Sequence, residues 1–178
     1  MRKVLAITAV LLVIGSFAFA QTPNVQMVFD EGYVSQTYAC SPGEYFQGYL
    51  VARNFNAYIQ AIEYNVYYPA GLSKVAEFSP APLVIGATDD YEKGCSISWS
   101  IPQNGFNPVL TMTVTFQCIE CTPDGQIVVG PNVNSGFVRA TQYPTNEFIY
   151  GIGMTSVLCP VTIPTENTTW GGVKALYE

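Results

Sequence analysis

The sequence predicts an all-β protein, a two-sheet β-sandwich, and three observations predict it. Apolar and polar residues alternate with period two in several separate runs. Turn-forming residues punctuate the chain between those runs, at the spacing of a sandwich rather than a βαβ fold. Helical spacing is confined to the two ends of the chain. With 178 residues, 49% of them hydrophobic and 11% charged, the chain is long enough for one domain with a sizeable core.

The elements follow in order. Arg2 and Lys3 precede an apolar run from Val4 to Ile14, and Ala18-Phe19-Ala20 offers the small residues that signal peptidase reads. A signal helix over 1–20 is therefore expected, with Gln21 as the new N-terminus. The apolar run falls short of the ~20 residues of a comfortable membrane span, so an uncleaved anchor is the lesser alternative. The sandwich domain is expected over 21–167, with no second membrane-spanning stretch. Tyr45 to Val51 is aromatic and β-branched, and Ile62, Tyr64, Val66 and Tyr68 share one face of the next run. Pro69-Ala70-Gly71 ends that run by removing a ladder donor and supplying a turn. Ser96 to Ile101 alternates again, and Leu110, Met112, Val114 and Phe116 oppose Thr111, Thr113, Thr115 and Gln117. Further strands are expected at Val75 to Phe78, Gln126 to Val129, Phe137 to Thr141 and Gly153 to Leu158, about eight to ten in all. The long loops are Pro80 to Gly94 and Pro102 to Pro108. After Thr168, Trp170, Val173, Leu176 and Tyr177 make one apolar stripe, so 168–178 reads as a short C-terminal helix or tail.

Charge and composition exclude several functions. The chain carries 13 Asp plus Glu against 7 Lys plus Arg and contains no histidine. Removing 1–20 leaves five cations, Arg53, Lys74, Lys93, Arg139 and Lys174, against all 13 acids, a net charge of −8. That balance opposes a phosphate-backbone partner, so no nucleic acid is expected. The missing imidazoles remove His-based triads and His-ligated zinc.

The run from Ile62 to Tyr68, the following Pro69-Ala70-Gly71-Leu72 and the strand at Lys74-Val75-Ala76 resemble the core of cohesin-like sandwiches. So do Ile97-Ser98-Trp99 and Val109 to Phe116. This resemblance implies a jelly roll whose strands lie on opposing sheets and a non-catalytic role in binding. The chain departs from the pattern at Pro69, where many cohesins carry an Asp. Ser135 to Ala140, Gly151 to Ser156 and Thr168 to Tyr177 resemble uncharacterised secreted proteins of environmental bacteria, which implies export but no chemistry.

Candidate site residues are few. Five cysteines lie beyond the signal segment, and an oxidising compartment permits disulfides. Cys40, Cys118, Cys121 and Cys159 are the disulfide candidates, with their pairing open, and Cys95 is the expected free thiol. Cys118-Ile119-Glu120-Cys121 ends a strand and runs into a turn, which does not suit a thioredoxin-type site, and it lacks the second close pair of a zinc site. Asp89, Asp90 and Glu92 share a loop that could hold calcium, although the spaced Asp pattern of such loops is missing. Glu63 and Glu147 are the carboxylates a glycoside-acting enzyme would use, and nothing around them marks an activated acid. Aromatics are the stronger lead at 13% of the chain, because tyrosine suits both sugar stacking and protein interfaces. Tyr67, Trp99 and Phe106 are expected to contribute if exposed. The expected function is a secreted or periplasmic interaction module that binds protein or polysaccharide at the cell surface, without cofactor and without catalysis. A carbohydrate-binding module is the alternative.

Overall fold

The computed structural model describes residues 21–160; the expected signal peptide and C-terminal helix lie outside the described residues. Strands dominate: β1 (Asn24–Val28), β2 (Thr37–Tyr38), β3 (Tyr45–Arg53), β4 (Tyr58–Tyr67), β5 (Leu72–Phe78), β6 (Leu83–Ile85), β7 (Cys95–Asn104), β8 (Val109–Cys118), β9 (Gly125–Gly130), β10 (Val138–Gln142), β11 (Phe148–Gly153) and β12 (Thr155–Leu158). That is 12 rather than eight to ten. The surplus comes from β1, the two-residue β2, the three-residue β6 within the expected Pro80–Gly94 loop, and β11, which the sequence did not signal ahead of the expected Gly153–Leu158 run.

One layer runs β5-β8-β3-β1, all antiparallel, and β1 then pairs in parallel with β11. The other layer has β4 at its centre, with β7 and then β6 on one side. On its other side β4 pairs with β10 along its first half and with β9 along its last three residues. Because β11 pairs with both β10 and β1, a single hydrogen-bonded path folds over to make both layers.

Period two places the core. Ile62, Tyr64, Ile97, Met112, Val114 and Phe116 are all at or below 1% exposed and point between the layers. Tyr64 brings a hydroxyl into this core. Its hydroxyl donates to Thr111 Oγ1 at 2.8 Å, and Thr111 passes the bond to the Leu50 carbonyl at 2.9 Å, so β4 is tied to β8 across the sandwich without a stranded donor.

Two local irregularities correct the sequence reading. β7 continues through Pro102 to Asn104, because Trp99 to Pro102 bulge opposite Gln60 and the ladder asks no donor of the proline. The loop after it is only Gly105 to Pro108, held by Gly105 N–H on the Ala57 carbonyl at 2.9 Å. β11 reads Phe-Ile-Tyr-Gly-Ile-Gly, with Phe148, Tyr150 and Ile152 outward and Ile149, Gly151 and Gly153 inward. A Cβ at Gly153 would stand 1.9 Å from the Val129 carbonyl oxygen, and one at Gly151 would stand 2.8 Å from that of Pro23. The glycines let β11 lie close against β9 and the start of β1.

Candidate functional site

The registers of five strands line up residues on the outer face of the β4 layer. Ile85, Ser96, Glu63, Arg139 and Tyr150 form one row across β6, β7, β4, β10 and β11. Leu83, Ser98, Ala61, Thr141 and Phe148 form the next. At about 4.8 Å per strand, each row spans roughly 19 Å. Between its apolar margins the face carries the small residues Ser96, Ser98, Ala61 and Thr141 around the Glu63–Arg139 pair. Leu83 and Ile85 are 52% and 58% exposed at one margin, and Phe148 and Tyr150 about half exposed at the other.

Arg139 organises the aromatic margin. Its Nε donates to Glu63 Oε2 at 2.8 Å, and its guanidinium carbon lies 4.0 Å from the Phe148 ring centroid. Phe137 meets Tyr150 edge-on at 5.0 Å. The Phe148 and Tyr150 planes differ by 55°, so these rings do not form the flat platform that stacks on a polysaccharide chain. An exposed patch of aromatics around a pre-oriented arginine, beside flat small-residue strands, has the composition of a protein interface.

The expected recognition residues are not brought together. Tyr67 ends β4, half exposed and stacked on Tyr91 at 5.4 Å. Phe106 is 61% exposed beside Tyr58, at the opposite end of the same ten-residue strand, roughly 30 Å away. Trp99 is only 5% exposed, because the alternation of β7 turns it inward with Cys95 and Ile97. It is therefore a core residue, and the expectation that it contacts a partner is corrected. Sequence reasoning passed over Leu83, Ile85, Arg139, Phe148 and Tyr150. The only signal for the last two was an apolar–glycine alternation.

The acidic candidates are tied up. Glu63 is the partner of Arg139, and Glu147 sits exposed in the turn between β10 and β11. Asp89 pairs with Lys74, which also holds Glu77 at 3.1 Å, so the two carboxylates that converge share an ammonium. Asp90 Oδ1 accepts from the Glu92 and Lys93 amides at 3.0 and 2.9 Å, and these bonds hold its carboxyl below the usual carboxylate range. The carboxylates of Asp89 and Asp90 thus have separate partners.

The cysteines meet at one corner. Cys40 is bridged to Cys118 and Cys121 to Cys159, and the Cys40 and Cys159 sulfurs of the two bridges lie 3.7 Å apart. Cys95 is unpaired and fully buried; burial pushes its thiol up to about 12. A thiol so held is not a nucleophile at neutral pH.

A cleft of about 450 Å³ with a mixed polar and apolar lining opens where β11 meets β1 and β3. Asn24, Gln26, Arg53 and Ile152 form its floor, and Gln36, Phe106 and Asn107 belong to its walls.

Fold and surface together define an all-β sandwich with one broad open face and no assembled set of reacting groups among the described residues. Solved structures place it more closely. The sixth cohesin of scaffoldin B from Acetivibrio cellulolyticus, solved with a Cel5 dockerin, is similar at a TM-score of 0.52 and 11% identity, over 79% of this chain and 100% of that one. The third ScaB cohesin of R. flavefaciens, solved with a group 1 dockerin, gives 0.52 and 14% over 80% and 98%. A non-cellulosomal cohesin from the archaeon Archaeoglobus fulgidus gives 0.53 and 11% over 79% and 92%. The chain has a cohesin-like fold. No family model matches the sequence, and no curated protein matches it.

Proposed function

We propose that the chain is a secreted, non-catalytic protein-interaction module, and that the outer face of β6, β7, β4, β10 and β11 is its contact surface. The observation that carries the reading is the pair of register-aligned rows, apolar at both margins, small-residued between them and centred on the Glu63–Arg139 pair. Small residues allow a partner's backbone to approach closely, while Phe148, Tyr150 and Leu83 supply anchors of the kind that dominate binding energies. Cohesins of this fold have been solved in complex with dockerins, which favours a folded protein as partner over an extended peptide or a polysaccharide. The 13 acids against 7 bases agree with a protein that stays soluble outside the cell.

The test is a photo-crosslinking residue placed at Ser98, with a control at Thr115 on the outer face of the opposite layer, in cells that produce the protein. A single adduct from Ser98, absent at Thr115 and lost in Phe148→Ala/Tyr150→Ala, is expected. The protein identified there should then bind the purified module directly. Adducts from Thr115 alone, or turnover of a glycan by the purified protein, would overturn the reading.

A further inference from the structure

The cleft beside β1 adjoins the proposed contact face across β11, whose Ile152 lines it, and has a chemistry of its own. Asn24 pairs with Ile152 of β11 on one side and Arg53 of β3 on the other, so all three project outward in one row. Gln26 stands two residues further along β1 on the same side. The turn holding Phe106 and Asn107 is drawn against the end of β3 by Asn56 N–H on the Gly105 carbonyl at 3.2 Å. The result is a recess of about 450 Å³, within the range of small-molecule sites.

Arg53 is the cation of this recess. With the Gln26 side-chain amide turned so that its oxygen faces Arg53, that oxygen accepts from Nε at 3.0 Å and Nη2 at 3.2 Å, which fixes the plane of the guanidinium. Lys74 and Arg139 are both ion-paired, whereas Arg53 meets no carboxylate among the described residues, in a chain where acids outnumber bases 13 to 7. A guanidinium that is oriented by an amide but left without an anion offers its free N–H edge to a carboxylate, in the planar fork geometry that group prefers. The walls are amides, from Asn24, Gln36 and Asn107. The exposed Asn107 amide presents a donor and an acceptor together, which is what a sugar hydroxyl requires, while Asn24 Nδ2 is held by the Thr22 carbonyl at 3.0 Å. Phe106, 61% exposed at the rim, supplies an apolar ring face.

We propose that this cleft binds an acidic sugar of the uronic-acid class, with Arg53 on the carboxylate, the amides on ring hydroxyls and Phe106 against the ring. The recognising side chains, Arg53, Asn24, Gln36, Asn107 and Phe106, lie outside the five strands of the contact face, so the proposal stands or falls independently of the proposed protein partner. Binding of tri-galacturonate and of neutral tri-galactose to the purified protein, measured by calorimetry and by NMR shifts, tests it. Tri-galacturonate should bind at least tenfold tighter than the neutral trimer. Arg53→Gln should abolish that preference while leaving the thermal midpoint nearly unchanged, and Phe106→Ala should weaken both trimers. Asn107→Ala, in a turn outside the strands, serves if Arg53→Gln fails to fold, and it should weaken tri-galacturonate. Absence of binding at about 10 mM, equal affinity for both trimers, or a preference that survives Arg53→Gln would overturn the proposal. So would tighter binding of a short peptide through its C-terminal carboxylate.

Discussion

Removing the Cys40–Cys118 bridge should take away a large share of the stability of the sandwich. The bridge closes a sequence separation of 78 residues, and Cys121–Cys159 closes one of 38. The two loops follow one another along the chain without overlapping, so their effects on the unfolded ensemble should add. The chain-entropy relation gives about 4.5 kcal/mol at 25 °C for the longer loop and about 3.9 kcal/mol for the shorter. Against a typical domain stability of roughly 5–15 kcal/mol, either loss is severe and both together should unfold the protein. The variants must be double. With Cys118 alone replaced, the freed Cys40 thiol would face Cys159 at 3.7 Å and could attack the remaining bridge. Urea unfolding of Cys40→Ala/Cys118→Ala and Cys121→Ala/Cys159→Ala should give losses near those figures. The first should also show the larger rise in m-value, as its unfolded chain expands more. Reduction of the unaltered protein separates the crosslink from the lost side-chain bulk, and should destabilise by about the sum of the two. A loss below about 1 kcal/mol for either pair, or peptide mapping under non-reducing conditions that joins Cys95 to another cysteine, would refute the reasoning.

Three further outcomes are expected. Burial raises the Cys95 thiol from 9.0 to about 12, so the folded state holds that proton after the unfolded state has released it. Stability from this group is complete below pH 9 and falls by about 1.4 kcal/mol per pH unit from there towards pH 12; Cys95→Ala should flatten the early part of the decline in denaturant titrations, and an unchanged slope would count against the assignment. Gly153→Ala places a methyl against the Val129 carbonyl and should cost about 3 kcal/mol or more, read as a lowered thermal midpoint; a neutral result would mean that β11 does not pack this closely. Neither end of the buried Asn65 amide meets a hydrogen-bond partner among the described residues, so Asn65→Leu should stabilise by about 1 kcal/mol in urea, and destabilisation would argue against an unsatisfied amide.

The strands that were legible in the sequence are those with one polar and one apolar face. In β8, Met112, Val114 and Phe116 alternate with threonines, and the structure buries the first set and leaves Thr113 and Thr115 half exposed. β11 was hidden for the opposite reason. Its outward positions are Phe148, Tyr150 and Ile152, and two of its inward positions are glycines, so no polar residue marks a face. Trp99 is a contact candidate only if exposed, and the register with β4 puts the serines outside and Trp99 inside. The contact face could not be read from the chain at all. Its residues come from five strands whose order in the layer differs from their order in sequence, and only the registers bring Ser98, Ala61 and Thr141 into one row. Phe106 was legible as a loop aromatic, but its neighbours in the cleft are the buried Gln26 and the partly buried Asn24 and Arg53 of β1 and β3, which carry no local signal.

The central claim, that the outer face of the β4 layer binds a protein, is tested most directly by comparing two variants of equal severity on opposite faces. Binding of the partner captured through Ser98 would be measured by calorimetry against Phe148→Ala/Tyr150→Ala and against Tyr45→Ala/Phe78→Ala, the latter exposed on the other layer. The account expects the first pair to lose at least a hundredfold in affinity, about 2.7 kcal/mol, and the second to bind as the unaltered protein does. Equal losses, or a loss confined to Tyr45→Ala/Phe78→Ala, would contradict it.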